Sequence, residues 1–298
     1  MNKVLVTGAS GFLGFNCIEM LKSTDFEIHA TDINLGVHQN NNKVHWHQAD
    51  LADNNQVYQL IKKIKPTHLL HAAWNMETGI KLNSEIHLPW LEIGMNLVKT
   101  FAHFGGKRIV SIGSAMEYGP VTSRCIENET PLRPDSVYGK VKHEFQMKLD
   151  AFCKQNNLSY AWPRIFLMFG AHENPMRIVP YVIRSIQEKQ LVEITQGNQI
   201  LDYLYVNDVV NALNQLLEGH IEGAVNVCSG KPIQLKEIVL SIAGFLGGEQ
   251  LLRFGARPSS PHDPKYLVGD NTLLKRETNW VQQYTTEEGL KKTIDSMC

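Results

Sequence analysis

Lys3-Val-Leu-Val-Thr-Gly-Ala-Ser-Gly-Phe-Leu-Gly14 decides the fold, because a short apolar run passes straight into three glycines spaced three apart. Val4, Leu5 and Val6 suit a strand covered on both faces, and Gly8 ends it in a turn. Phe12, Leu13, Cys17, Ile18 and Leu21 then follow helical spacing. Gly8 and Gly11 permit the tight turn and the close approach that a pyrophosphate needs at a helix start, and Gly14 lets helix and strand pack. A glycine turn that merely joins strand to helix has the same spacing. The surroundings decide: a second strand, Glu27-Ile-His-Ala-Thr-Asp32, ends in a carboxylate where a ribose 2′-hydroxyl needs an acceptor.

At 298 residues the chain can bury a large core, enough for one large domain or two that share a cleft. Its 29 basic and 30 acidic residues leave a net charge of −1, with no basic field for nucleic acid. Cys17, Cys125, Cys153, Cys228 and Cys298 are odd in number and scattered, which fits a reducing cytoplasm. The first strand starts close to Met1, leaving no room for a signal peptide, and no apolar run approaches a membrane span. A soluble cytoplasmic protein is the expectation.

The rest of the chain alternates strand and helix. A polar loop, Asn34 to Asn42, leads to a strand Val44–Gln48, whose His45 and His47 share a face and read as solvated histidines rather than a metal pair. An amphipathic helix carries Val57, Leu60, Ile61 and Ile64, and a strand follows over Thr67–Ala73. Leu82–Phe104 reads as one long helix with two apolar sides, one for the sheet and one for a second partner. The strand Lys107–Gly113 delivers Ser114 at its carboxyl end, the rim where open parallel sheets bind ligands. After a loop over Ala115–Pro134, Asp135 or Ser136 caps a helix bearing Tyr138 and Lys142 on one face. A sixth strand spans Leu158–Phe169, and a strand Ile200–Tyr205 and a helix Leu235–Phe245 lie among the shorter elements beyond Gly170. The expected fold is a Rossmann-type α/β protein: a six- or seven-stranded doubly wound parallel sheet with a smaller C-terminal lid. Residues 1–165 with about 202–230 would bind the cofactor, and about 166–201 with 231–298 the substrate.

Ser114, Tyr138 and Lys142 come from different elements but converge on the carboxyl edge beside the glycine loop. A tyrosine of ordinary pKa near 10 is a poor acid–base catalyst, and a lysine ammonium about 4 Å away would lower that pKa by up to ~3 units. Tyr138 would then exchange a proton with a sugar oxygen that Ser114 holds, while hydride moves at the adjacent carbon. A tyrosine and lysine four apart also occur as an ordinary surface pair. Their company here decides against that.

These residues, with His71-Ala-Ala73, Tyr118-Gly119, Asp202-Tyr-Leu-Tyr-Val-Asn-Asp208, Asn226-Val-Cys-Ser-Gly230 and Arg257, resemble the extended short-chain dehydrogenase/reductase family, the NAD-dependent epimerase/dehydratase group. The resemblance implies NAD(P) across the first domain, held by Gly8, Gly11, Phe12, Leu13, Gly14, Asp32, Ala72, Ala73, Tyr138 and Lys142, with Asp50 and Leu51 near the adenine. It implies a nucleotide-diphosphate sugar contacted by Ser114, Glu117, Tyr138 and Arg257, and a homodimer. No metal is expected. The sequence departs from the family at Leu167, usually asparagine, and at Leu201, usually arginine, where Arg177 or Arg184 would have to compensate for diphosphate contacts. Ala115-Met116 replaces the Asp-Glu of the dehydratases, and Glu117 resembles a subgroup of 4-ketoreductases. The reading is reduction of a 4-keto nucleotide (deoxy)sugar with NAD(H), NADP(H) being less favoured. Its alternatives are a 4-epimerase and a non-catalytic dinucleotide sensor.

Overall fold

A computed structural model describes residues 2–35, 43–75, 81–260 and 263–297. The large sheet contains β1 (Lys3–Thr7), β2 (Glu27–Asp32), β3 (Val44–Gln48), β4 (His68–His71), β5 (Arg108–Ser111), β6 (Gly113–Ser114) and β7 (Ser159–Ile165). Beyond it β8 (Leu167–Phe169), β9 (Val192–Ile194), β10 (Ile200–Leu201) and β11 (Tyr203–Tyr205) form smaller sheets, and β12 (Gly223–Val227) returns to the large one. The strand order is β12-β7-β5-β4-β1-β2-β3, every pair parallel, with β6 extending along β7. Chain order reverses between β1 and β4, and a crevice at their carboxyl ends is where such sheets bind ligands. The doubly wound parallel sheet expected from the sequence is therefore present, with seven strands side by side and the short β6 as an eighth, against the six or seven expected.

The strands are apolar on both sides because each side has its own helical layer. Val4 and Val6 pack with Leu13, Cys17 and Ile18 of α1 (Phe12–Leu21). Leu5, pointing the other way, packs with Val57, Leu60 and Ile61 of α2 (Asn54–Ile64) and with Leu97, Val98 and Phe101 of α3 (Trp90–His103). Phe145 and Leu149 of α4 (Val137–Asn156) join that second layer. On the first, α5 (Ile178–Gln187), α6 (Val206–Glu218) and α7 (Leu235–Leu246) continue the core toward the C-terminus.

Three elements differ from expectation. Residues 82–104 do not form one helix: a single tight turn at Glu85–His87 precedes Pro89, and regular helix begins only at Trp90. Proline has no N–H for an interior helical bond and is tolerated only near a helix start. The strand expected over 158–169 breaks at Phe166: the backbone N–H of Leu167 turns to the carbonyl of Asp202, and β8 pairs with β11 outside the large sheet. Residues 200–205 divide at the same place into β10 and β11, because the buried Asp202 carboxylate accepts N–H groups from Ser229, Gly230 and Gly269.

His45 and His47 are half-buried beside a third histidine, His29, rather than solvated. His29 Nδ1 lies 2.9 Å from His47 Nε2, its Nε2 lies 2.9 Å from Glu27, and it stacks on His45 at 5.1 Å. Among the described residues no group of three His, Cys, Asp or Glu is placed to hold a metal. The polar loop over 34–42 lies mostly outside the described residues. Burial pulls His29 below its ordinary value and His47 down to about 4, the charges of His29, Lys63 and His45 adding to the effect on His47. Unfolded histidines take up protons near pH ~6.5, before the folded ones do, so stability falls as pH drops from about 6.5 toward 4. Thermal unfolding followed by circular dichroism should show this decline, and His47→Gln should flatten it. A melting temperature constant over that interval in the parent would contradict the burial argument.

Candidate active site

The glycine loop is shaped by contact rather than by flexibility alone. Gly8 has φ +65°, and a Cβ there would meet Ala73 Cα at 2.6 Å, while a Cβ on Gly14 would run into the Gly8 carbonyl. A Cβ on Gly11 would press on the Gly8 carbonyl oxygen at 3.3 Å and meet no other atom within 4 Å. Phe12 and Leu13 begin α1, whose first N–H groups have no side-chain cap. Asp32 sits beside them, its carboxylate accepting from the N–H and hydroxyl of Ser10 at 3.0 and 2.6 Å. Asp50 and Leu51 follow β3, the Ala49 N–H bonding to the Asp32 carbonyl. Ala72 and Ala73 continue β4 opposite Gly8, and the Ala73 N–H reaches Thr7 Oγ1 at 3.3 Å. A helix start without a side-chain cap, flanked by a carboxylate, fits an adenine dinucleotide.

Ser114, at the end of β6, opens a turn that Glu117 closes: Met116 N–H donates to Ser114 Oγ, and Ser114 N–H donates to Glu117 Oε1 at 2.7 Å. Ser136, not Asp135, caps α4 by accepting from the Gly139 N–H. Gly139 is needed because a Cβ there would lie 2.5 Å from the Met116 carbonyl, preventing α4 from resting on the serine turn. That approach brings Tyr138 into hydrogen-bonding reach of Ser114. The three residues singled out in the sequence therefore share one site.

Their electrostatics differ from expectation. Lys142 is buried and donates to the Ile112 carbonyl at 2.7 Å, while its Nζ sits 5.9 Å from the Tyr138 ring centre. Burial pushes Tyr138 up to about 12, and the hydrogen bond from Ser114 offsets only part of that. Burial also pulls Lys142 down to about 7. In the free site Tyr138 is held protonated rather than activated toward the phenolate.

Glu117 is neither a substrate contact nor a carboxylate facing water. It is wholly buried, receiving Arg164 Nε at 2.8 Å, Trp162 Nε1 at 2.9 Å and the Ser114 N–H. Both of its oxygens accept from protein groups beneath the site. Arg257 is exposed, with its guanidinium over the Tyr181 ring at 5.0 Å and Nη2 3.3 Å from the Tyr181 hydroxyl. Arg177 opens α5 near enough to lower Tyr138 electrostatically, whereas Arg184 lies in the last turn of that helix, ~10 Å further along. Leu167 is half-buried and Leu201 buried, so neither supplies a charge.

Sequence reasoning missed Trp74 and His87. Trp74 Nε1 donates to His87 Nδ1 at 3.2 Å, and both rings meet Tyr138 edge-on. The only signal was position, since Trp74 directly follows Ala73 at the carboxyl end of β4.

The NAD dependent epimerase/dehydratase family model matches residues 4–228. The UDP-glucose 4-epimerase of Bacillus subtilis is 27% identical over 325 residues, covering 96% of this chain and 94% of its own. The CDP-abequose synthase of Salmonella typhimurium is 23% identical over 304 residues, covering 98% and 97%. The crystal structure of a Thermus thermophilus UDP-glucose 4-epimerase in complex with NAD superposes with a TM-score of 0.90 at 24% identity, covering 99% and 98% of the two chains. The family match takes in the glycine loop, Asp32 and all three converging side chains, and the chain belongs to the NAD-dependent epimerase/dehydratase family of enzymes.

Proposed function

We propose that this enzyme reduces the 4-keto group of a nucleotide-diphosphate (deoxy)sugar. The carrying observation is the convergence of Ser114, Tyr138 and Lys142 beside the glycine loop, with Tyr138 kept protonated by burial. Bound NADH supplies the hydride that reaches C4. Ser114 orients the C4 oxygen, and Tyr138 gives that oxygen its proton, so that C=O becomes CH–OH. Lys142 holds positive charge beneath the tyrosinate that remains and binds the ribose beside it. Dehydration is disfavoured because Ala115 and Met116 offer no second acid–base pair.

The nucleotide sugar is proposed to lie between the large sheet and residues 166–201 and 231–298. Arg257 and Arg177 are the proposed diphosphate contacts, Arg177 being preferred to Arg184 for its nearness to Tyr138. The second reading is a 4-epimerase, favoured by the relatives of that activity matched along nearly the whole chain. Incubation with a panel of 4-keto and 4-hydroxy nucleotide sugars, with NADH fluorescence followed, separates the two. Reduction consumes NADH one for one, and epimerisation consumes none.

The enzyme is expected to prefer NAD(H) to NADP(H) by roughly tenfold to a hundredfold. A 2′-phosphate would face the Asp32 carboxylate and lose its bonds, at ~1–3 kcal/mol, and Ile33, Asn34 and Leu35 provide no clamp for it. Fluorescence titration of both reduced cofactors checks this, and equal or tighter NADPH binding would rule it out.

A homodimer through α3 and α4 is also proposed. Met147 on α4 and Ile86 and Leu88 in the turn just before α3 are exposed, and Asn96 Nδ2 and His143 Nδ1 are buried without a partner among the described residues. Light scattering at micromolar concentration should give twice the chain mass, and a monomer would refute the proposal. Among the described residues no helix is long and apolar enough to cross a membrane. Four buried free cysteines support a cytoplasmic location.

A further inference from the structure

Lys142 has a neighbour that the proposed chemistry leaves unexplained. The Trp74 ring lies directly under its ammonium, with Nζ 3.6 Å from the ring centre. The indole cannot turn freely: its Nε1 is fixed to His87 Nδ1 at 3.2 Å, and His87, wholly buried, lies with Nε2 3.1 Å from the Lys81 carbonyl. These partners select one neutral tautomer, with Nδ1 accepting and Nε2–H donating. Trp90 stacks on the same indole at 5.4 Å, and Tyr138 meets it edge-on at 5.7 Å. An aromatic ring beside a sugar site suggests a stacking platform for the sugar. Here the ammonium already occupies one ring face at contact distance, so that face is not open to substrate.

We infer that Trp74 is a positioning residue for Lys142: its π face, aimed by His87, holds the ammonium against the Ile112 carbonyl and keeps it charged beside Tyr138. A buried ammonium has three N–H donors and has given up its water, so one carbonyl is a poor replacement for hydration. The indole face supplies attraction that needs no further acceptor. Among the described residues the other ionisable groups facing Lys142 are few. Glu117, from the turn after β6, supports its charge. His71 of β4 and His87 oppose it only when protonated, and burial pulls both below their ordinary value. Tyr138, on the same helix, is neutral. Burial pulls Lys142 down to about 7, so losing a contact that stabilises the ammonium lowers its charged fraction at neutral pH.

The inference rests on the reading of Tyr138 and Lys142 as the proton-handling pair, but its test observes the lysine itself. Lys142 is titrated by NMR in the full chain labelled with 13C at lysine Cε, its signal assigned by loss in Lys142→Met. Trp74→Leu keeps apolar bulk and removes the π face, and should lower the Lys142 midpoint by about one pH unit. Trp74→Phe retains an aromatic face and should keep most of the parental midpoint. His87→Leu leaves the indole in place without its anchor and should give an intermediate fall, which carries the test if Trp74→Leu fails to fold. An unchanged midpoint in a folded Trp74→Leu or His87→Leu protein overturns the inference. Equal falls in the Leu and Phe variants also overturn it, since packing rather than the π face would then be responsible. If the midpoint falls as expected but no nucleotide sugar is turned over, the reaction is misassigned and the role of Trp74 stands.

Discussion

Tyr138→Phe should lower kcat by ~10²–10⁴, the range for loss of a positioned general acid, while leaving the fold and NADH affinity near those of the parent. The phenol hydroxyl is the sole group the substitution removes, and the ring contacts to Trp74 and His87 remain. Because burial holds Tyr138 near 12, the parent site carries this proton throughout the neutral range. Stopped-flow or steady-state turnover with NADH and a 4-keto nucleotide sugar measures the loss. Turnover within a few-fold of the parent would remove Tyr138 from the chemistry.

Glu117→Ala should have the largest effect on stability, about 3–5 kcal/mol. It leaves the Arg164 guanidinium buried and unpaired, and it strips acceptors from Trp162 Nε1 and from the Ser114 N–H. Glu117→Gln keeps the shape and one acceptor oxygen but loses the charge, so a smaller loss is expected. Urea unfolding of the three proteins gives the comparison. A loss below about 1 kcal/mol in Glu117→Ala would mean that water enters and solvates Arg164. Because Glu117 also fixes the serine turn, the alanine variant should lose turnover beyond what its folded fraction explains.

The elements that were legible are those whose reason is local. Val4 to Gly14 carries its strand, turn and helix start within a dozen residues, and Asp32 ends a strand whose pattern is equally short. Tyr138 and Lys142 were readable as a pair because one helical turn joins them, and Ser114 because a parallel strand must deliver its end to the ligand rim. What lay hidden depends on partners distant in sequence. Glu117 meets Arg164 forty-seven residues away, so its carboxylate could not be told from a loop acid. The resting place of Lys142 depends on Trp74 and on Ile112, which follow β4 and β5. For the same reason the sequence suggested a tyrosine lowered by lysine, where desolvation dominates. The breaks at Phe166 and Asp202 follow from hydrogen bonds to residues of other elements, which no periodicity within the strand reveals.

The most direct test of the proposed reaction is the stoichiometry of NADH oxidation with a 4-keto nucleotide sugar under single-substrate conditions, with the sugar product analysed at C4. One NADH oxidised per 4-hydroxy sugar formed is the expected result. Interconversion of two C4 epimers with no net change in NADH would contradict reduction and identify the enzyme as an epimerase.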